Sequence, residues 1–265
     1  MKKFLLYRRG GLGDTLLTFP ILEIFKRKGF YTVAVGNTDY FKIAKAVGWV
    51  DEVFYERPTG RFDIEVLIGL DGITPFPKER TWIVEYYLKN LGLSESFSTR
   101  LPLEGYQDTP LKNKVILHPS SGSKKKNPQL ELFIRIEEFL RDLGYECAYL
   151  IGESDQWLKR HVNNFMEFLD PLEMGRHLKG ARLFVGNDSG VSHLSAYLGI
   201  TTFIFYGPTD WKVWKPIGER VYPIYLEIEC SPCFPNTCTE RFCFDVDGLF
   251  EAFLSSLKRH ESMRF

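Results

Sequence analysis

The sequence predicts an α/β protein made of two Rossmann-like domains that face each other across a cleft. Short apolar strands alternate with amphipathic helices, and this alternation occurs twice along the 265 residues. Strands that alternate with helices form a parallel sheet with helices on both faces. An aperiodic stretch with two prolines, residues 101–111, separates the two runs and predicts a linker. We therefore place one domain at residues 1–108 and the other at residues 109–265.

Both halves contain the elements that this alternation requires. Strands are predicted at residues 3–8, 31–35, 52–55 and 65–70 in the first half, and at 114–119, 146–152, 182–187 and 201–207 in the second. Helices are predicted at residues 14–28, 130–144, 154–166, 191–199 and 246–260. Several of them end at a glycine, as helices commonly do.

Composition and charge exclude several classes of protein. Formal net charge is zero, and each half differs from neutrality by a single charge, so generic nucleic-acid binding is disfavoured. The first residues, MKKFLLYRRGG, have too short an apolar stretch for a signal peptide. No apolar run approaches the roughly 20 residues that cross a bilayer. We expect a cytoplasmic protein.

Candidate ligand-binding loops lie beyond the carboxyl ends of the strands, where ligands of such sheets bind. The first loop, GGLGD at residues 10–14, precedes a helix. Gly11 and Gly13 would let the backbone approach a ligand closely. The dinucleotide and P-loop phosphate fingerprints both fail here. Taken alone, Asp14 is best interpreted as the helix N-cap.

Two later loops are suited to an anionic ligand. HPSSGSKKKNP, residues 118–128, ends in three lysines that suit a diphosphate or form a solvated run. GNDSGVSHL, residues 186–194, places Asp188, Ser189 and Gly190 at a helix N-terminus, where free amides bind anions. An ordinary cap with His193 in the core is the alternative. A fourth loop, YGPTDWKVWKP, follows the next strand.

The order and spacing of these loops resemble the heptosyltransferase family of bacterial glycosyltransferases. The resemblance covers nearly the whole chain and is most specific at GNDSGVSHL and GPTD. It implies the two-Rossmann GT-B fold. It also implies an inverting enzyme that builds the inner core of lipopolysaccharide from ADP-heptose. The segment between residues 72 and 84 is shorter than in that family, and this half would meet the acceptor.

The resemblance also implies roles for individual residues. Asp14 would be the catalytic base. Lys126 would neutralise phosphate, although the tryptophan of the family's K-N-W-P stretch is missing here. Glu153 or Asp155 would meet the nucleoside, and the sequence does not choose between them. The remaining residues expected at the donor diphosphate are Asp188, Ser189, Gly190 and His193.

The resemblance implies a reaction between two partners with no cofactor required for catalysis. The partners are a nucleotide-diphosphate sugar donor and a glycan or glycolipid acceptor. A glycolipid acceptor would bring the protein into peripheral contact with the cytoplasmic face of the inner membrane. Lys126 and a helix N-terminus would stabilise the leaving diphosphate in place of a metal.

Four of the five cysteines lie close together near the end of the chain, at Cys230, Cys233, Cys238 and Cys243. This spacing suggests a structural zinc site or an iron–sulfur cluster. Free thiols or disulfides are equally compatible with it. We expect a local unit away from the chemistry.

Two other functional classes remain as alternatives to the glycosyltransferase. An NAD-dependent oxidoreductase also uses strand–glycine–helix turns, but Asn37 stands where it would need an acidic residue. A zinc-ribbon binding module would use residues 230–243 and would leave the four strand-end loops unexplained.

Overall fold

Two parallel β-sheets form the framework of the protein. The structure is a computed structural model and describes residues 1–69, 72–233 and 239–262. The first sheet has the order β3-β2-β1-β4 and the second the order β10-β9-β8-β5-β6-β7. The first contains β1 Lys3–Arg8, β2 Tyr31–Gly36, β3 Glu52–Phe54 and β4 Ile64–Ile68. The second contains β5 Val115–His118, β6 Cys147–Ile151, β7 Phe165–Glu167, β8 Leu183–Asn187, β9 Thr202–Phe205 and β10 Val221–Ile224.

Helices cover both sheets, as the alternation predicts. They are α1 Leu12–Leu16, α2 Phe19–Arg27, α3 Thr38–Ala46, α4 Ile83–Asn90, α5 Leu130–Asp142, α6 Pro171–Leu178, α7 Gly190–Tyr197, α8 Trp211–Trp214 and α9 Val246–Ser262. Within the described ranges, none of these helices combines the length and the apolar character needed to cross a membrane. The α/β class with two parallel sheets is confirmed. The domain boundary at residues 108 and 109 falls between α4 and β5 and stays a prediction.

Strand register brings the functional loops of each sheet to one edge. Arg8, the last residue of β1, pairs with Gly36 of β2 and Ile68 of β4. In the second sheet, His118 at the end of β5 pairs with Gly186 of β8. Because parallel strands place their carboxyl ends at the same edge, the loops that follow them converge.

The inner helices of the two sheets pack directly on each other. One continuous hydrophobic core contains Phe4 and Phe19 from the first half and Leu194 and Tyr197 from the second. α1 contacts α7 across this interface. The two halves are therefore held together by apolar packing beneath the cleft.

Two predicted helices differ from those observed, and the edge strand β10 was not predicted. The helix expected at residues 14–28 is two helices, α1 and α2, with Pro20 in the first turn of α2. Proline is favoured in the first turn of a helix because backbone N–H groups there have no partner within the helix, so proline loses no hydrogen bond. The polar helix expected at residues 154–166 is a 3-10 helix, Glu153–Arg160, followed by strand β7. The edge strand β10 escaped prediction because Pro223 lies within it.

Candidate functional site

A cavity of about 1140 Å³ opens between the carboxyl edges of the two sheets. It is bounded by the segments that follow β1, β2 and β4 on one side and β5, β6, β7, β8 and β9 on the other. Ten of the residues singled out in the sequence line it: Gly11, Gly13, Asp14, Lys126, Glu153, Asp155, Asp188, Ser189, Gly190 and His193. Residues from loops far apart in the chain therefore share one site.

The Asp14 carboxylate is held at both oxygens. Its Oδ2 accepts a hydrogen bond from the Gly11 amide at 3.0 Å, and its Oδ1 lies 3.1 Å from Nη2 of Arg8. Gly11 is the N-cap of α1 and Asp14 is the third helical residue, so the N-cap interpretation of Asp14 is wrong. The Arg8 side chain is 8% exposed and that of Asp14 is 36% exposed. A buried cation thus orients a carboxylate that still reaches the cavity.

The glycines of the opening turn are needed for close packing. A Cβ at Gly10 would lie 2.8 Å from Cβ of Asp14, and one at Gly13 would lie 3.2 Å from the His193 ring. On the facing helix α7, a Cβ at Gly190 would lie 2.6 Å from Cβ of Leu12. Gly13 and Gly190 therefore let α1 and α7 touch. This contact places Asp14, on the first wall of the cavity, opposite the loops of the second half.

Lys126 and Asp188 form the main ion pair of the second wall. The Lys126 ammonium donates to Oδ2 of Asp188 at 2.7 Å, and Nε2 of His193 lies 3.9 Å from Oδ1 of the same carboxylate. Burial acts to raise the pKa of Asp188, but the Lys126 charge, together with the nearby His193 ring, outweighs it and lowers the pKa. Asp188 is therefore an ionised carboxylate that holds Lys126 at the cavity. The neighbouring Lys124 is exposed and does not line it.

A buried chain of hydrogen bonds orients the N-cap of α7. His118 Nε2 lies 3.0 Å from Oδ2 of Asp155, and His118 Nδ1 lies 3.3 Å from Oγ of Ser189. Because an ionised carboxylate can only accept, His118 donates from Nε2–H to Asp155. Ser189 Oγ in turn accepts from the Ser192 amide. Sequence reasoning missed His118, although it follows the last apolar residue of a predicted strand.

The two acidic residues after β6 have different surroundings. Asp155 is 4% exposed and also accepts from the Gly152 amide at 3.0 Å. Burial acts to raise its pKa, but the hydrogen bond and charge of His118, with help from Ser120, lower it to about 2. Glu153 is exposed and lines the cavity. Of the two, Glu153 has the carboxylate available to a ligand.

An apolar wall lies next to Glu153 and was not predicted. It consists of Leu169, Pro171 and Met174, which follow the short strand β7. Leu169 is 63% exposed and presents an apolar surface to the cavity. The only sequence signal would have been the strand itself, which is three residues long.

A segment of the first half, residues 72–82, reaches across the cavity, and we call it the strap. Arg80 forms an ion pair with Asp210, whose Oδ1 also caps α8 by accepting from the Lys212 amide at 3.0 Å. The Trp82 indole donates to the Lys215 carbonyl at 2.8 Å. These contacts tie the strap to the GPTD loop, and sequence reasoning did not predict them.

The first residues of the cysteine-rich segment, 230–233, lie beside the cavity. The Cys233 amide donates to the Pro208 carbonyl at 2.9 Å, and Ser231 Oγ donates to the Gly207 carbonyl at 2.7 Å. Pro232 and Cys233 line the cavity, although the segment was expected away from the chemistry; for the segment as a whole that expectation stays a prediction.

The metal-binding prediction concerns four cysteines, of which Cys238 lies outside the described residues. Cys230, Cys233 and Cys243 are described, and Cys243 is buried. Within the described ranges, no group of three or more His, Cys, Asp or Glu side chains is placed to hold a metal ion. The structural zinc site stays a prediction.

Comparison with known proteins identifies the family. The model of glycosyltransferase family 9 (heptosyltransferase) matches residues 92–243, more than half of the chain. Lipopolysaccharide heptosyltransferase 1 of Pseudomonas aeruginosa is 32% identical over 92 residues, which cover 35% of this chain and 24% of that protein. The aligned segment therefore spans about a quarter of that relative's length.

Solved structures show the same fold over the whole chain. ADP-heptose lps heptosyltransferase II of E. coli has a TM-score of 0.75 at 12% identity, covering 98% of this chain and 99% of that one. The iron-containing dodecameric glycosyltransferase TibC of enterotoxigenic E. coli has a TM-score of 0.77 at 16% identity, covering 99% and 78%. The predicted GT-B arrangement is confirmed. The chain belongs to glycosyltransferase family 9, the heptosyltransferase family.

Proposed function

We propose that the protein is an inverting glycosyltransferase that moves a heptose from ADP-heptose to a lipopolysaccharide-core or related glycan acceptor. One observation carries this proposal. The Asp14 carboxylate of the first half lines the same cavity as the Lys126 ammonium and the N-terminus of α7 in the second half. A base and an anion site on opposite walls suit transfer of a sugar away from a diphosphate. The names of the related proteins favour ADP-heptose as donor.

The diphosphate would bind between Lys126 and the start of α7. Lys126 uses one N–H on Asp188, which leaves two for phosphate oxygens. The Gly190 and Val191 amides of the first turn carry the positive end of the helix dipole. Asp188, Ser189 and His193 would act by holding these groups in place.

Transfer would proceed by in-line displacement at the anomeric carbon. The acceptor hydroxyl attacks from the face opposite the diphosphate, and Asp14 takes its proton as the new bond forms. The bond to the diphosphate breaks with its electron pair on oxygen, and the configuration inverts. Lys126 and the α7 amides stabilise the charge that develops on the leaving ADP, so catalysis requires no metal ion.

The nucleoside would lie along the outer part of the second wall. Glu153 would accept hydrogen bonds from the ribose hydroxyls, and Leu169 and Met174 would cover one face of the base. Asp155 would contribute indirectly through His118. This resolves, as a proposal, the choice between the two acidic residues.

Metal and membrane contacts are separate parts of the proposal. The cysteine segment at residues 230–243 would hold a structural zinc ion or remain as thiols or disulfides, and elemental analysis of chelator-free protein distinguishes these. A glycolipid acceptor would place this cytoplasmic protein at the inner membrane. Family membership favours this function over an NAD-dependent oxidoreductase or a zinc-ribbon module.

Two measurements test the proposal. A calorimetric panel of ADP, UDP, GDP and NAD should show binding that is specific for ADP. Incubation with ADP-heptose and lipopolysaccharide that lacks heptose should increase the mass of the acceptor by one heptose. Specific binding of NAD, or an acceptor of unchanged mass despite ADP binding, would reject the proposed reaction.

A further inference from the structure

The strap is anchored at both ends, and its middle part projects into the cavity. At its start, the Ile73 amide donates to the Leu67 carbonyl at 2.8 Å, and the Gly69 amide donates to the Ile73 carbonyl at 3.0 Å. At its end, Arg80 and Trp82 contact the second half as described above. Between these anchors, Pro75, Phe76 and Pro77 line the cavity.

Phe76 is exposed inside a cavity, between two prolines. It is 59% exposed, although the neighbouring prolines restrict the backbone that carries it. Its ring meets that of Trp214 at 6.2 Å between centroids and an interplanar angle of 70°. This edge-to-face contact comes from both halves of the protein and leaves much of the Phe76 ring uncovered.

The position of the strap places Phe76 on the same side of the cavity as Asp14. A Cβ on Gly69 would lie 3.1 Å from Nη1 of Arg8 and 4.0 Å from Cγ of Pro75. Arg8 in turn pairs with Asp14. A ligand on Phe76 would therefore lie on the Asp14 side of the cavity, whereas Leu169 and Met174 form the wall beside Glu153 in the second half.

We propose that Phe76 and Trp214 form a stacking surface for a sugar ring of the acceptor, next to Asp14. A pyranose ring has a face of C–H groups that packs on an aromatic ring, while its hydroxyls remain free for hydrogen bonds. Ligand sites commonly combine such aromatic surfaces with a few polar groups. This inference rests on the proposed function and adds to it an acceptor subsite assembled from both halves.

The test compares Phe76→Ala with Phe76→Tyr, which keeps the ring. Phe242→Ala is the matched control, because Phe242 is 66% exposed and does not line the cavity. The acceptor is the oligosaccharide obtained by deacylating lipopolysaccharide that lacks heptose. Its KM is measured at saturating ADP-heptose, and its Kd without donor is measured by calorimetry.

We expect Phe76→Ala to raise the KM and Kd of the oligosaccharide by about ten- to hundredfold, the equivalent of one buried phenylalanine side chain. Phe76→Tyr and Phe242→Ala should resemble the wild type, and the ADP Kd should not change. Unchanged oligosaccharide binding in Phe76→Ala would overturn the inference. So would a rise in the KM of ADP-heptose alone, since the surface would then serve the donor sugar.

The binding measurement separates this inference from the proposed reaction. A wild-type protein that binds the oligosaccharide through Phe76 but transfers no heptose would reject the reaction and support the stacking surface. A protein that transfers heptose with equal efficiency in the wild type and in Phe76→Ala would support the reaction and reject the surface.

Discussion

The two walls of the cavity are stabilised in different ways. On the second wall, Asp188 and Asp155 are 5% and 4% exposed, and each has a charged or imidazole partner from another loop. On the strap side, the ion pair between Arg80 and Asp210 is more open: the Arg80 side chain is 55% exposed and the Asp210 side chain is 16% exposed. The second wall is thus an interior network, and the strap is attached mainly at the surface.

This difference has energetic consequences. Removing one partner of a buried ion pair costs roughly 3–5 kcal/mol, because the other charge stays buried without compensation. An exposed pair contributes only about 0–1 kcal/mol. Substitutions in the strap should therefore change ligand binding with little loss of stability. Substitutions in the second wall should affect both ligand binding and stability. The family model matches residues 92–243 and so leaves out the strap.

The largest expected effect is at Asp14, on the first wall. Asp14→Asn removes the proposed base and should lower the transfer rate by about 10²–10⁴-fold. ADP affinity should not change, because no group proposed to bind ADP lies on that wall. Stability should fall moderately, since the buried Arg8 loses its counter-charge. Initial rates and calorimetry measure the first two quantities. Full transfer activity in the variant would leave Asp14 with only a structural role.

Substitution of Lys126 tests the proposed ADP site on the second wall. Lys126→Ala should raise the Kd of ADP by about ten- to hundredfold, as expected for loss of a charge-assisted hydrogen bond. Oligosaccharide binding should stay the same, the reverse of the pattern expected for Phe76→Ala. Lys124→Ala is the matched control, because Lys124 lies on the same 3-10 helix but is exposed and outside the cavity. Equal ADP affinity in both variants would remove Lys126 from the site.

The contact between α1 and α7 can be tested by substituting Gly13 and Gly190, which lie at that contact. Gly190→Ala should lower the free energy of unfolding by about 1–3 kcal/mol, because the new methyl group would overlap Leu12. Gly13→Ala should cost less, since the His193 ring is further away. Gly122→Ala is the control, as nothing lies within 4 Å of its Cβ position. Urea denaturation measures all three, and the opposite order for Gly190 and Gly13 would contradict the observed packing.

Asp155 should give a pH-dependent effect. Its pKa falls from 3.8 to about 2 in the folded protein, so its carboxylate stabilises the fold above pH 4. That contribution, about 2 kcal/mol at 1.36 kcal/mol per pKa unit, is lost as the pH falls towards 2. Asp155→Asn should therefore be less stable than the wild type at pH 7, with a difference that shrinks in acid. A difference independent of pH would show that Asp155 acts by shape alone.

The sequence by itself determined the class of fold and most of the site. Short apolar runs followed by glycine, serine and aspartate identify strand ends, and parallel strands bring those ends to one edge. The strand ends therefore placed the loops at residues 118–128 and 186–194 at the candidate site, and the resemblance to the heptosyltransferase family singled out Lys126, Asp188 and Ser189 within them. Local pattern also located Asp14, although it suggested the wrong capping position.

Only the tertiary structure decided which of these groups contact each other. Lys126 and Asp188 are 62 positions apart, and Arg80 and Asp210 are 130 apart. Such pairs depend on strand register and on how α1 packs against α7, and neither leaves a periodic signal in the chain. The distinction between Glu153 and Asp155 has the same origin. The carboxylate of Asp155 is buried and hydrogen-bonded to His118, whereas that of Glu153 remains exposed at the cavity. Burial is a property of the packed molecule.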